Sequence, residues 1–434
     1  PNMIYWKVNE DCPGYGNITL TGNYEWALAR PVQSYFDGGN LGKMCEWYML
    51  ISDNSGRASG IGDASGLGGP IGVNAYMLAG WKYRDGRYLW WWDRHFSTPG
   101  RYWVPEEIIP RVQPDNMLGV ATVPVDEWIY NQHQPHKFPI EKGYDKVSFR
   151  SGFEKSDQYL CMSGYSHGFH AHADANAIVR YADHEQVRLY DDGYMIPALS
   201  EHNTVTILKN GWAATTPELS EVMAEADFDD VGMFTSRLDD YNGICWDRTI
   251  IWPKGRFFLV VDDLIALEPA QYGFQCIWRT LGSASLNGCR WTSEKEGGRM
   301  NLVCASDAVL AEKESAGLTL NSPPFPMSEA RALVQAAAPD MAAGDSHQFA
   351  NVLYTTGVGD GSTQVDCYRV GDSTTYIISD NGQPIAAGIN RSTAVPGVLV
   401  EGEAFYLTPT DLAVAGARRV RIDGRLVRSN LPVN

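Results

Sequence analysis

Residues 163–174 read SGYSHGFHAHAD and form the most informative stretch of this sequence. The stretch contains three of the nine histidines and ends on a carboxylate. If residues 170–174 are extended, alternation places His170, His172 and Asp174 on one face, with two alanines on the other. Such a face predicts a metal site or a proton-transfer site. The simpler alternative is a surface loop that happens to be rich in histidine.

A second acid and a further histidine follow this stretch. Residues 178–181 and 187–194 have the pattern of a β-hairpin, which returns its second strand beside its first. Asp191 and His202 are therefore expected to lie near His172. Taken singly, an acid here is typical of a turn, and a lone histidine is typical of a core position. Together they predict a site with two imidazoles and one carboxylate, a mixture that zinc accepts.

The surrounding sequence changes from a helical to a strand pattern. Residues 40–51 place apolar side chains three and four positions apart, and helices are also predicted over 23–30, near 71–83 and near 86–95. From about residue 143 onwards, short segments with a period of two are rich in β-branched and aromatic residues. These segments recur at the spacing of an antiparallel β-sandwich.

Composition excludes several classes of protein. A chain of 434 residues predicts two or three domains, and 44% hydrophobic residues exclude disorder over most of its length. The net charge of −17 argues against a nucleic acid or an anionic membrane as a partner. No run approaches the ~18–20 apolar residues of a membrane span. The eight cysteines are scattered without a CxxC pair, and their pairing cannot be read from the sequence.

Several motifs together resemble the heparinase II/III-like family of polysaccharide lyases. HGFHAHADANAIVRY (167–181), LYDDGY (189–194) and SEHNTVTI (200–207) carry most of the resemblance. SGRASGIGD (55–63) is similar to a Gly-Asp loop of that family, and VSFRSG (147–152) to an early strand of its β domain. The family implies an incomplete α/α toroid joined to antiparallel β-sheets, with substrate in the groove between them.

The predicted fold class is therefore α+β, a partial α/α toroid followed by an antiparallel β-sandwich. The toroid is predicted over 1–136, the sandwich over 137–350 and a C-terminal β-sheet region over 351–434. The family's asparagine and histidine on earlier toroid helices have no match in this sequence. A second copy of the chain or a missing N-terminal segment is expected to complete the groove.

The resemblance also implies roles for individual residues. His170 resembles the family's active-site histidine, and the residues that resemble its zinc ligands are His172, Asp191 and His202. Two tyrosines compete for the place of the catalytic tyrosine. Tyr15 follows an acid and a glycine in DCPGY, whereas Tyr24 follows a glycine in TGNY, where a threonine stands in place of the usual glutamate.

The expected function is that of a secreted or periplasmic lyase that cleaves a uronic-acid polysaccharide by β-elimination. Zinc is expected to organise the site rather than to react. One alternative is a metal-dependent glycoside hydrolase, which needs two carboxylates flanking the scissile bond. The other is a non-catalytic carbohydrate-binding protein. An unsaturated product separates the lyase from the hydrolase, and binding without turnover identifies the third class.

Overall fold

The computed structural model of the chain describes residues 6–64, 70–96, 104–132, 137–191, 198–296, 298–315, 330–359, 364–389, 397–422 and 426–430. All the α-helices of these ranges lie in the first third of the chain. They are Pro13–Ala29 (α1), Gln33–Asp37 (α2), Asn40–Ile51 (α3), Val73–Tyr83 (α4), Gly86–His95 (α5) and Glu127–Tyr130 (α6).

Two predicted helices, 40–51 and 86–95, have the predicted bounds. The helix predicted over 23–30 instead begins at Pro13, because a proline in the first turn has no backbone N–H that needs an intrahelical partner. The start of α5 is fixed by Asp85, whose side chain accepts a hydrogen bond from the backbone N–H of Arg87 at 2.9 Å.

In the rest of the described chain the regular structure is almost entirely β-strand. Its strands are Gly119–Pro124 (β1), Tyr144–Arg150 (β2), Tyr159–Ser163 (β3), Ile178–Asp183 (β4), Gln186–Tyr190 (β5), Val205–Lys209 (β6), Trp212–Ala213 (β7), Glu221–Asp227 (β8), Val231–Tyr241 (β9), Ile244–Pro253 (β10), Phe258–Ala266 (β11), Ala270–Leu281 (β12), Ser283–Asn287 (β13), Arg290–Lys295 (β14), Gly298–Cys304 (β15), Val309–Glu314 (β16), Ala330–Ala337 (β17), Asp340–Met341 (β18), Ser346–Gly357 (β19), Val365–Arg369 (β20), Thr375–Asp380 (β21), Gln383–Ile389 (β22), Val398–Glu401 (β23), Ala404–Leu407 (β24), Asp411–Ala415 (β25), Arg419–Ile422 (β26) and Leu426–Ser429 (β27).

These strands form four large sheets and one small one. The first, here called the central sheet, has the order β1-β2-β3-β4-β5, and an eight-stranded sheet has the order β13-β14-β15-β19-β11-β10-β9-β8. A third sheet runs β16-β17-β12-β6-β7, with β18 paired to β12, and a fourth runs β20-β21-β22-β24-β25-β27. Strands β23 and β26 pair with each other. The strand pairs are antiparallel except β25 with β27.

The central sheet is buried on both faces. Alternation along β3 sends Tyr159 and Cys161 into the core shared with the helices, while Leu160 and Met162 point into the core shared with the eight-stranded sheet. The far face of the eight-stranded sheet packs on the fourth sheet through residues such as Val261. The molecule is therefore layered, and the central sheet lies between the helices and the eight-stranded sheet.

The predicted mixture of helices and antiparallel sheets is confirmed, whereas the toroid and the domain division stay predictions. Strand β1 lies within the region assigned to helices, and it pairs with β2 across the boundary at 136/137. Strand β19 runs through the boundary at 350/351.

A buried ion cluster ties the chain before α1 to the central sheet. It consists of Lys7, Asp11, Asp145 and Lys146, whose side chains are at most 2% exposed. Lys146 Nζ lies 2.8 Å from a carboxylate oxygen of each of the two aspartates, and Lys7 contacts both as well. Burial acts to lower the pKa of Lys146, but the two carboxylates outweigh it and hold that pKa above its usual range.

Candidate functional site

The site lies at one end of the central sheet. Because β3, β4 and β5 are antiparallel neighbours, the last residue of β3, the first residue of β4 and the last residue of β5 lie at the same end of the sheet. The segment 164–177, here called the histidine loop, joins β3 to β4, and Asp191 directly follows β5. The side-chain amide of Asn203 donates hydrogen bonds to the carbonyls of Ile178 and Tyr190. These bonds hold the preceding residue, His202, at the same end of the sheet.

The extended conformation predicted for 170–174 is wrong. The histidine loop contains no strand, and Ala173 adopts a left-handed φ of 55°. A left-handed residue breaks the alternation of an extended chain, so the three side chains expected on one face have different partners. His170 contacts Glu10, His172 contacts Asp63, and Asp174 accepts a hydrogen bond from Ser166 at 2.5 Å.

His170 lies between a carboxylate and an aromatic ring. Its Nδ1 is 2.5 Å from Oε2 of Glu10, and its ring stacks on that of Tyr15 with centroids 4.0 Å apart and planes at 11°. The other carboxylate oxygen of Glu10 accepts a hydrogen bond from the backbone N–H of Cys12 at 3.0 Å, at the start of α1. Tyr15 is 37% exposed, so this group is accessible from solvent.

Tyr24, the other candidate tyrosine, lies elsewhere. It is nine residues beyond Tyr15 on α1, a displacement of about 13 Å along the helix axis. Its ring is 2% exposed and packs in the helical core with Leu20 and Ala27. The structure thus brings Tyr15 to His170 and leaves Tyr24 in the core.

The proposed metal ligands are partly brought together. Asp191 and His202 are adjacent, with Oδ1 of the first 2.6 Å from Nδ1 of the second. Their third neighbour is Asp174, and one donor atom from each of the three residues lies within 4.8 Å of the others. His172 lies alongside, its ring centroid 5.3 Å from that of His202, while its Nε2 is 2.8 Å from Oδ1 of Asp63.

This set of residues can hold a metal ion. Buried polar atoms almost always have a hydrogen-bond partner, yet four of them here have none: Nδ1 of His172, Oδ2 of Asp174, Oδ2 of Asp191 and Nε2 of His202. A cation would satisfy such imidazole and carboxylate atoms together. Burial acts to lower the pKa of His202, but the carboxylates of Asp191 and Asp174 outweigh it and raise that pKa.

The Gly-Asp loop of the helical layer is packed against the histidine loop. The backbone N–H of Asp63 donates to the carbonyl of His170 at 2.9 Å. Gly62 has a φ of +56°, and a Cβ at this position would lie 2.3 Å from that same carbonyl oxygen. Only glycine fits here, because both the conformation and the space exclude a side chain.

The contacts of three carboxylates of the site do not follow from the sequence. Asp174 belongs to the quoted HAHAD stretch, but the resemblance assigns it no ligand role. The loop of Asp63 is part of the resemblance, but its contact with His172 is not. Glu10 contacts a histidine 160 positions away, and no periodicity or spacing signals such a contact.

Comparison with known proteins supports the architecture. The sequence matches no protein-family model and no curated protein. A mutant of the heparan sulfate lyase HepC from Pedobacter heparinus is similar in structure, with a TM-score of 0.62 and 12% identity over 87% of this chain and 58% of that one. This chain has the fold of heparinase III. A heparinase III crystal structure gives a TM-score of 0.61 with 8% identity over 81% of this chain and 54% of that one.

A second heparinase III structure, with methylated lysines, gives a TM-score of 0.59 and 13% identity over 82% of this chain and 52% of that one. The resemblance to the heparinase II/III-like proteins is thus confirmed in structure, and at these identities it shows the fold alone. The chain spans less than two thirds of the length of these heparinase structures. None of the described helices has both the length and the hydropathy needed to cross a bilayer.

Proposed function

We propose that this protein is a polysaccharide lyase that cleaves a uronic-acid polysaccharide by β-elimination. The observation that carries the proposal is the contact of His170 with Glu10 and Tyr15, at the junction of the helical layer and the β layers. An imidazole held by a carboxylate and stacked on an accessible tyrosine is suited to exchange protons with a substrate. The similar fold of a heparan sulfate lyase supports the same class of reaction.

The chemistry requires one proton to leave the sugar and one to reach the leaving group. Glu10, as a carboxylate, can only accept a hydrogen bond, so it fixes the proton of His170 on Nδ1 and leaves Nε2 as a proton acceptor. Nε2 takes the C5 proton of the uronate, and the C5–H electron pair forms the C4–C5 double bond. The C4–O4 bond breaks, and the hydroxyl of Tyr15 supplies the proton that O4 takes up. Glu10 is a positioning residue, since it acts through the imidazole.

Zinc is the metal proposed for the buried set. Asp174, Asp191 and His202 would hold it, with His172 as the further candidate from the sequence. The ion would fix the shape of the histidine loop, because elimination needs no activated water. The residues that meet the substrate are then His170 and Tyr15, and the proposed partner is an acidic polysaccharide. Secretion and completion of the groove by a second copy or a further segment belong to the same proposal.

An absorbance assay tests the function. The purified protein is incubated separately with heparan sulfate, chondroitin, hyaluronan and alginate. We expect a rise in ultraviolet absorbance with at least one polymer, since elimination leaves a C4–C5 double bond beside a carboxylate. New reducing ends without absorbance would indicate a hydrolase, and oligosaccharide binding without either signal would indicate a binding protein. Both outcomes contradict the proposal.

Metal analysis tests the zinc site. Elemental analysis should find about one zinc per chain, and the double variant Asp191→Asn, His202→Ala should lose it. Single variants Asp174→Asn and His172→Ala then decide which of the two is a ligand. His184→Ala, in the turn between β4 and β5, is the matched control and should keep the metal. Equal zinc content in the double variant and the wild type would place the ion elsewhere.

A further inference from the structure

Phe169 is exposed to an unusual degree. Its side chain is 93% exposed, the highest value among the large apolar residues that are exposed in the described part of the chain. A phenylalanine in water loses the stabilisation that burial would give it. It directly precedes His170 in sequence, so the two Cα atoms are about 3.8 Å apart. Among the described residues, the most exposed large apolar side chain therefore belongs to the sequence neighbour of the proposed catalytic histidine.

The backbone is anchored on both sides of Phe169. Gly168 has a φ of +120°, and a Cβ there would lie 2.8 Å from the carbonyl oxygen of Asn9. On the other side, the carbonyl of His170 accepts a hydrogen bond from the backbone N–H of Asp63, and the imidazole of His170 contacts Glu10. The segment is thus fixed against the chain before α1 and against the Gly-Asp loop. Phe169 is held in solvent by a well-anchored backbone.

We infer that Phe169 is a sugar-stacking residue of the substrate groove. Its ring packs against the C–H face of a pyranose in the polysaccharide, next to the residue that meets His170 and Tyr15. The π face of a benzene ring is electronegative and attracts the polarised C–H groups of a sugar. A pyranose with mostly equatorial hydroxyls presents such a face, and a chain of such sugars is the substrate class that fits. This inference rests on the proposed function, since it assigns a specificity-determining residue to the same site.

Kinetics of matched variants test the assignment. Phe169→Ala should raise KM by about tenfold and change kcat by less than about threefold, because stacking contributes to binding in the ground state and the transition state alike. Phe169→Trp should keep a KM near that of the wild type. Trp212→Ala removes another strongly exposed aromatic ring, 79% exposed between β6 and β8, and is the control expected to change nothing. A Phe169→Ala variant with wild-type KM would overturn the inference.

Direct binding separates this inference from the proposed function. Titration calorimetry with oligosaccharides of heparan sulfate, chondroitin, hyaluronan and alginate needs no turnover. Weaker binding by Phe169→Ala supports the stacking role even if no unsaturated product forms. Unchanged affinity overturns it even if the protein is a lyase, and so does a wild type that binds none of the oligosaccharides. If the wild type were a dimer and the Phe169→Ala variant a monomer, with unchanged affinity for the oligosaccharides, the inference would be overturned. The ring would then contact a second copy of the chain.

Discussion

Tyr15→Phe is expected to lower turnover by about 10²–10⁴-fold, the range that a positioned proton-transfer group contributes. The substitution removes only the hydroxyl, so the ring can still stack on His170. Initial rates of unsaturated product formation at saturating substrate measure the effect. KM should change little, because the lost proton transfer belongs to the transition state.

Tyr24→Phe is the matched control on the same helix. Its ring is buried in the helical core, so we expect turnover within a factor of about three of the wild type. Circular dichroism and thermal unfolding should show both variants folded. If Tyr24→Phe were inactive and Tyr15→Phe active, the choice between the two tyrosines would be reversed. Tyr15 would then not be the proton donor.

Lys146→Met is expected to lower the free energy of unfolding by about 3–5 kcal/mol, the range for breaking a buried ion pair from one side. Lys146 is fully buried and bonds to both aspartates of the ion cluster. Without it, the carboxylates of Asp11 and Asp145 share only Lys7 in a place that water does not reach. Urea denaturation followed by tryptophan fluorescence measures the change in midpoint and slope.

Arg299→Met provides the comparison for this effect. Arg299 pairs with Glu294, and both side chains are more than half exposed. An exposed pair contributes about 0–1 kcal/mol, so this variant should unfold close to the wild type. If Lys146→Met and Arg299→Met had the same small effect, the buried cluster would not be what joins the start of α1 to the central sheet.

Local patterns in the sequence were sufficient for several of the elements. Helices α3 and α5 follow from apolar spacing, and the hairpin of β4 and β5 follows from two short alternating runs. The hairpin places Asp191 beside the start of β4, and the hydrogen bonds of Asn203 to Ile178 and Tyr190 bring His202 to it. Prediction worked where structure is set by neighbours in the chain.

Prediction failed where a single backbone angle or a contact between distant parts of the chain determines the structure. The alternation assumed for 170–174 ignores Ala173, whose positive φ is rare for a residue with a Cβ and has no signature in the sequence. Glu10 reaches His170 because α1 and the histidine loop pack together, which is a property of the assembled layers. The choice between Tyr15 and Tyr24 also required the packed helix, since both lie on α1.

The central sheet also bears on how such a protein can diverge. Its strands are enclosed on both faces, so their side chains are constrained by packing from two directions at once. The side chains proposed to meet the substrate include Tyr15 and Phe169, which are exposed, so a substitution at either position disturbs less packing than one in the sheet. Such exposed positions can therefore be exchanged in evolution while the layered frame persists. A shared architecture at 8–13% identity is the outcome that this separation of frame and exposed positions permits.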